Sequence, residues 1–241
     1  MNNILKNKII FKNISKNYFS QKDKKQILEN ISLEISQKEI TVIIGRSGCG
    51  KTTFLRIMAG LEKADRGTIH YFDNEGKEKP VKIGMVFQEP RLMPWLTVEE
   101  NIKIHEKEYK TNVKKILSLV SLQGTEKLFP HELSGGMASR TAIARAIAYN
   151  PDIFLMDEPF AALDYFTRLQ LQNEIIKIHE QTKKGIVFVT HNIDEALLLG
   201  KKIIIFKNRS CEELEIDSSY PRDISEKKFT ELKKEILEKL M

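Results

Sequence analysis

One passage constrains this chain more than any other. Residues 40–44 (ITVII) are an unbroken apolar run, as expected of a strand covered on both faces. The run ends in Gly45, Arg46, Ser47, Gly48, Cys49, Gly50, Lys51 and Thr52, which fit the pattern G-x-x-x-x-G-K-[ST] without a mismatch. A helical pattern over residues 51–59 follows and is stopped by Gly60. A polyphosphate needs many donors at close range and little side-chain bulk, and the glycines provide both. The helix N-terminus adds unpaired N–H groups and a favourable dipole. Lys51 is then placed to reach the β- and γ-phosphates, and the Thr52 hydroxyl to ligate Mg²⁺. Cys49 serves in this loop as a small filler, and a thiol at a helix N-terminus is also a candidate for a lowered pKa and ready reaction.

The rest of the chain supplies the sheet and helices around that passage. Strand signals fall at residues 9–14, 31–35, 68–72, 82–87, 153–156, 186–190 and 202–206. Helical patterns fall at 99–109, 113–122, 137–148, 167–181 and 193–199. Phe229, Leu232, Ile236 and Leu240 recur at three- and four-residue steps, predicting an amphipathic terminal helix. Buried runs alternating with helices predict an α/β core with a mainly parallel sheet. Residues 88–150 lack strand signals and read as a helical subdomain inserted into that core. The segment DNEGKEKP (73–80) reads as a polar hairpin loop.

Composition narrows the function classes. The 241 residues hold 39 Lys+Arg against 33 Asp+Glu, a net charge of +6 spread along the chain and not gathered in one cluster. Nucleic acid is therefore not an expected partner. No apolar run approaches the roughly 18 residues of a membrane span, and the N-terminus has no signal-peptide pattern. Two cysteines are too few for a disulfide framework. A chain working in the cytoplasm is expected.

Polar groups recur just past the apolar runs, where ligands bind in open α/β sheets. Asp157 and Glu158 close the run 153–156. Asp157 is placed to hold Mg²⁺ and Glu158 to polarise an attacking water as general base. Gln88 follows the run 82–87, and His191 follows 186–190. Beside the other groups His191 reads as a γ-phosphate contact; by itself it reads as a cap or packing histidine. Tyr18 is placed either to stack on a nucleobase or to pack in the core. Ser134, Gly135 and Gly136 precede a strong helix pattern, so they are either a plain Ser cap or a second anion site. One nucleotide rarely needs two helix N-termini from one domain, which points the second site at another subunit's nucleotide.

Taken in order, the phosphate loop, Gln88, LSGGM, LMDEP, Ala162-Leu163-Asp164 and His191 resemble the ATP-binding-cassette (ABC) ATPase subunits over about residues 8–210. The segments QEPRLMPWLTVEENI, FPHELSGGM, DEPFAALDYFTR and YPRD resemble importers of the nitrate, sulfonate, taurine or bicarbonate type. The resemblance implies the ABC ATPase fold: a P-loop core, an N-terminal antiparallel β region and the inserted helical subdomain, with 1–241 one domain ending in a short tail over 211–241. It implies two MgATP held between two copies of the chain. Residues Gly45 to Gly50, Lys51, Thr52 and Thr53 of one copy would face Ser134, Gly135 and Gly136 of the other. It assigns Tyr18 to adenine, Gln88 to Mg²⁺ and the attacking water, His191 to the γ-phosphate and Asp164 to coupling across the dimer. It implies a transmembrane permease docked near Trp95 and, indirectly, an extracytoplasmic solute-binding protein. It departs from the family's usual glutamine at Ser139.

Two other readings compete. A permease-free ABC ATPase of the chromosome or repair kind would carry long coiled coils between Thr52 and Leu133, and none is present. An iron–sulfur assembly factor is disfavoured by the importer-like stretch 88–102. A nucleotide sensor would lack hydrolysis at Glu158.

Overall fold

The structure is a computed structural model that describes residues 6–19, 24–105, 111–161 and 163–240. Contacts divide it into two compact units, Met1–Val81 with Gly185–Met241, and Lys82–Lys184.

In the first unit, β1 (Lys8–Phe19), β2 (Lys24–Ser36) and β4 (Arg66–Phe72) form an antiparallel sheet in the order β2-β1-β4. Ile9 faces Ile35 and Tyr71, and Phe11 faces Leu33 and Ile69, so one apolar row runs across all three strands. The central strand of the other sheet is β3 (Ile40–Gly45), with all six residues buried. It lies parallel between β7 (Gly185–Thr190) and β8 (Lys202–Lys207). Helix α1 (Lys51–Met58) brings Phe54 against Phe11 and Phe206, ring centroids 4.7 and 5.4 Å apart. That contact fixes the helix carrying the phosphate loop to both sheets.

Strand β9 (Ser210–Glu215) pairs antiparallel with β8 and has no apolar signal in its sequence, SCEELE. An edge strand draws its stability from the ladder it completes. Here Lys202 and Lys239 also meet Glu213 and Glu212 at 2.7 Å. Helix α6 (Ile193–Leu199) lies between β7 and β8 in the chain, and α7 (Lys227–Leu240) closes it, burying Phe229 and Ile236 of the expected stripe.

In the second unit, β5 (Ile83–Val86) and β6 (Ile153–Asp157) pair in parallel. Between them come α2 (Val98–Ile102), α3 (Val113–Leu119) and α4 (Gly135–Ala148), with short 3₁₀ turns at Lys103–His105 and Pro130–Glu132. Helix α5 (Tyr165–Thr182) follows β6. The helix expected over 99–109 is shorter: α2 starts at a Thr97–Glu100 capping box and passes into the 3₁₀ turn. Residues 106–109 of that expectation lie outside the described residues, as does Ala162. The helix expected to reach Leu122 stops at Leu119. Ser121 takes a φ of 54°, and the Leu122 N–H donates to the Leu117 carbonyl at 2.9 Å. This left-handed stop folds Leu122 back into the core, so the apolar spacing outlasts the helix. The segment 73–80 is the expected loop, closed by a bridge between Phe72 and Glu78.

Candidate functional site

The phosphate loop leaves β3 and enters α1 in the first unit. Gly50 caps the helix at a φ of 106°, a conformation glycine adopts without steric cost. Lys51 is buried and arches back over the loop, its Nζ donating to the carbonyls of Gly45 at 2.8 Å and Arg46 at 3.2 Å. Both of these acceptors are neutral carbonyls, which an anionic phosphate can outcompete. Arg46, Ser47 and Gly48 are exposed, while Thr52 and Thr53 are half-buried in the first helical turn.

Tyr18 is not a core residue. It is 41% exposed, its hydroxyl donates to Glu62 at 2.8 Å, and it lies 3.3 Å from the Thr53 hydroxyl. Lys16 stands 5.7 Å from the ring centroid. The ring is pinned at its tip beside the loop helix, with an open face. A cavity of about 300 Å³ opens beside the loop, lined by Arg46, Cys49, Lys25, Lys207 and Arg209 among others.

The structure corrects the expectation for Cys49. A Cβ built on Gly45 would lie 2.6 Å from its Sγ, so the sulfur is packed on the loop's own backbone. Burial pushes the thiol up, and that outweighs the nearby Lys51 charge, which pulls it down. Cys211 is likewise pushed up by burial, to about 11. The rate of Cys49 alkylation by iodoacetamide is therefore expected to keep rising beyond the usual thiol value of 9.0. Bound MgATP is expected to protect the thiol, and the modified protein to lose hydrolysis. A rate that levels off near neutral pH would contradict the burial argument, and modification without inhibition would place the thiol away from the nucleotide.

His191 follows β7 and is exposed, so it is not a packed core histidine. Nor does it cap α6: Asn192 does, its side chain accepting from Asp194 and Glu195 N–H at 2.8 and 3.4 Å. Thr190 holds the turn from the other side, donating to Glu195 at 2.5 Å and accepting from the Asn192 N–H at 3.0 Å. The far end of α6 is gripped by YPRD, whose structural role the sequence does not reveal. Arg222 Nη1 donates to the carbonyls of Leu197 and Gly200 at 2.8 and 2.6 Å, and Nη2 to Ser218 at 2.9 Å. The Tyr220 hydroxyl donates to the Leu199 carbonyl. Lys233 of α7 meets Asp194 at 2.6 Å, so both ends of the helix that follows His191 are fixed.

The second unit carries the remaining candidates. Asp157 is the buried last residue of β6, and Glu158 follows it with a φ of 43°. A left-handed conformation costs a non-glycine residue about 1–2 kcal/mol. Here a turn holds it, the Ala161 N–H donating to the Glu158 carbonyl at 3.1 Å. Gln88 is exposed at the end of β5. The loop after it is anchored by two side chains that sequence patterns do not single out. Arg145 of α4 donates to the Pro90 and Arg91 carbonyls at 2.9 and 2.8 Å. Asn101 is fully buried, donating to the carbonyls of Met93, Leu96 and Thr97 and accepting from the Met93 N–H at 2.8 Å. Trp95 stands at the tip, 70% exposed.

Ser134 caps α4, its hydroxyl accepting from the Met137 N–H at 3.3 Å, and Ser134 and Gly135 are exposed. Gly136 has no room for a side chain, since a Cβ there would lie 2.6 Å from the Thr167 methyl. Thr167 in turn donates its N–H to the Asp164 carboxylate at 3.0 Å. Hydrogen bonding from Thr167, by its side chain first and by that N–H second, holds the Asp164 carboxyl below the usual carboxylate range. Ser134–Gly136 and the start of α5 thus form one contiguous surface. Ser139 is buried, so its side chain does not join that surface.

This fold and these motifs define an ATP-binding cassette: the family model described as ABC transporter matches residues 28–161, and the chain belongs to that family. It is similar to the aliphatic sulfonates import ATP-binding protein SsuB of Bacillus anthracis, 44% identical over 93% of this chain and 92% of that protein. An uncharacterized ABC transporter ATP-binding protein of Methanocaldococcus jannaschii is 41% identical over 97% of this chain and 91% of that protein. Among solved structures, a dimeric post-hydrolysis state of an ATP-binding cassette bound to ADP and Pi matches with a TM-score of 0.76. It is 31% identical, covering 88% of this chain and all of that one.

Proposed function

We propose that this chain is the ATP-hydrolysing subunit of an importer for a small anionic solute, with an alkyl sulfonate favoured by the names of its relatives. The whole chain acts as one cassette, with 88–150 its helical subdomain and 211–241 a short tail. It works at the inner face of the cell membrane; among the described residues no helix is long and apolar enough to cross one.

In this reading the loop N–H groups from Gly45 to Thr53 receive the ATP phosphates, and Lys51 exchanges its two carbonyl partners for phosphate oxygens. Tyr18 offers its open face to adenine. Glu158 takes the proton from the attacking water, and His191 holds the γ-phosphate. Thr52, Gln88 and Asp157 present hydroxyl, amide and carboxylate oxygens, the hard donors Mg²⁺ prefers when phosphates complete its shell. When bound, that ion supplies neutralising charge to the phosphates. Ser134, Gly135 and Gly136 serve the nucleotide of a second copy, and Asp164 couples the two.

The observation that carries the coupling role is the anchored loop after Gln88. Arg145 and Asn101 immobilise it at backbone carbonyls, yet its one tryptophan faces outward. A rigid loop with an exposed aromatic suits a cytoplasmic helix of a permease. An extracytoplasmic solute-binding protein would select the solute. The test is recovery of the native chain from membranes. A permease is expected to co-purify and, once reconstituted with the binding protein and an alkyl sulfonate, to raise ATP hydrolysis. Recovery of the chain alone, with hydrolysis indifferent to the solute, would refute the reading.

A further inference from the structure

The Tyr18 ring is tied down by a side chain that lies outside every motif of the sequence. Just past the end of α1, the N–H groups of Leu61 and Glu62 donate to the Arg56 carbonyl at 2.9 and 3.3 Å. The Glu62 backbone is thus fixed to the helix whose other end carries the phosphate loop. From there its carboxylate reaches β1. Oε2 accepts from the Tyr18 hydroxyl at 2.8 Å, and Oε1 meets Lys16 Nζ at 3.2 Å. The Lys16 and Glu62 side chains are only 13% and 19% exposed, so little water competes for these charge-assisted bonds.

The fold has other fastenings at this place. Lys16 donates to the Lys63 carbonyl at 2.7 Å, and Asn17 gives its backbone and side-chain N–H to Asp65 at 2.7 and 2.9 Å. The Asp65 N–H returns to the Ser15 carbonyl at 2.9 Å. Segment 63–65 is therefore held on β1 without Glu62. The ring has no such reserve. Among the described residues the other partner of its hydroxyl is Thr53, at 3.3 Å a long contact. An exposed ring that is already held loses less freedom when a base stacks on it.

We infer that Glu62 is a positioning residue for ATP, holding the Tyr18 ring in place for adenine relative to the phosphate donors of α1. The inference rests on the stacking role proposed for Tyr18. Glu62 acts through the ring, so its loss weakens ligands that carry a base and spares a bare polyphosphate.

The experiment titrates the full-length protein with MgATP and with magnesium tripolyphosphate by calorimetry, and measures steady-state hydrolysis. Glu62→Ala should raise the Kd for MgATP roughly three- to tenfold and leave that for tripolyphosphate within about twofold. KM for ATP should rise while kcat stays within about twofold. Glu62→Gln keeps an oxygen acceptor and should restore ATP affinity. Tyr18→Phe removes the same bond from its other end. It should reproduce the loss, also where Glu62→Ala does not fold, and adding Glu62→Ala to it should cost nothing further. Tyr18→Ala is the control for stacking. If Tyr18→Ala weakens ATP binding while Glu62→Ala and Tyr18→Phe do not, the inference is overturned and stacking stands. Equal losses for ATP and tripolyphosphate in Glu62→Ala would also overturn it, since they report damage to the loop. Unchanged ATP affinity in Tyr18→Ala would remove the stacking role and this inference with it.

Discussion

Glu158→Gln is expected to reduce ATP turnover to below about a tenth of wild type, consistent with the roughly 10²–10⁴ that a positioned general base contributes. The substitution isolates one property. Glutamine has the same length and shape, and it inherits the same left-handed backbone at φ 43° held by the same turn to Ala161. It cannot take a proton from water. Binding of ATP should be unaffected, because the donors that receive phosphate lie in the loop of Gly45 to Thr53. The ATP-bound state should therefore accumulate, visible as an ATP-dependent dimer. Steady-state phosphate release and nucleotide binding measured on the same preparation decide the matter. Turnover above about a tenth of wild type would remove Glu158 from the role of base.

The second large effect concerns stability. Arg222→Ala is expected to destabilise the fold by about 2–4 kcal/mol, because charge-assisted bonds to three carbonyls disappear together. The last carbonyls of a helix have no partner within it, and in α6 those of Leu197 and Gly200 have the buried guanidinium as theirs. Truncation to alanine leaves them in a space closed to water, with Tyr220, now stacked 4.6 Å from the guanidinium carbon, losing its support as well. For a chain of this size the thermal midpoint should fall by roughly 4–16 °C. Arg222→Lys should recover only part of the loss, since an ammonium cannot fork across three acceptors. Thermal melts followed by circular dichroism provide the measurement. A fall of less than about 2 °C would show that water replaces the guanidinium at little cost.

Legibility differed from element to element for physical reasons. The run 40–44 announced β3 because a strand covered on both faces has only apolar positions. Edge strand β9 announced nothing, because Ser, Cys and three glutamates gain from pairing with β8 and not from burial. The end of α3 was obscured because Leu122 continues the helical spacing after the backbone has turned back. The reactivity expected of Cys49 followed from its place at a helix N-terminus. Burial against Gly45, which spacing does not encode, reverses its direction.

The motifs show the same division. The sequence by itself determined the class of fold, the phosphate loop and the family, because each depends on residue type at short, fixed spacing. It also marked YPRD as distinctive. Only the tertiary structure decided what YPRD does, since two of the three carbonyls Arg222 satisfies, those of Leu197 and Gly200, lie more than twenty residues earlier in the chain. Only the tertiary structure decided against core packing for Tyr18 by leaving it exposed, gave the cap of α6 to Asn192, and set Thr167 against Gly136. These outcomes depend on which groups burial brings together and which it leaves in water. Local spacing does not determine that; the packing of distant segments does.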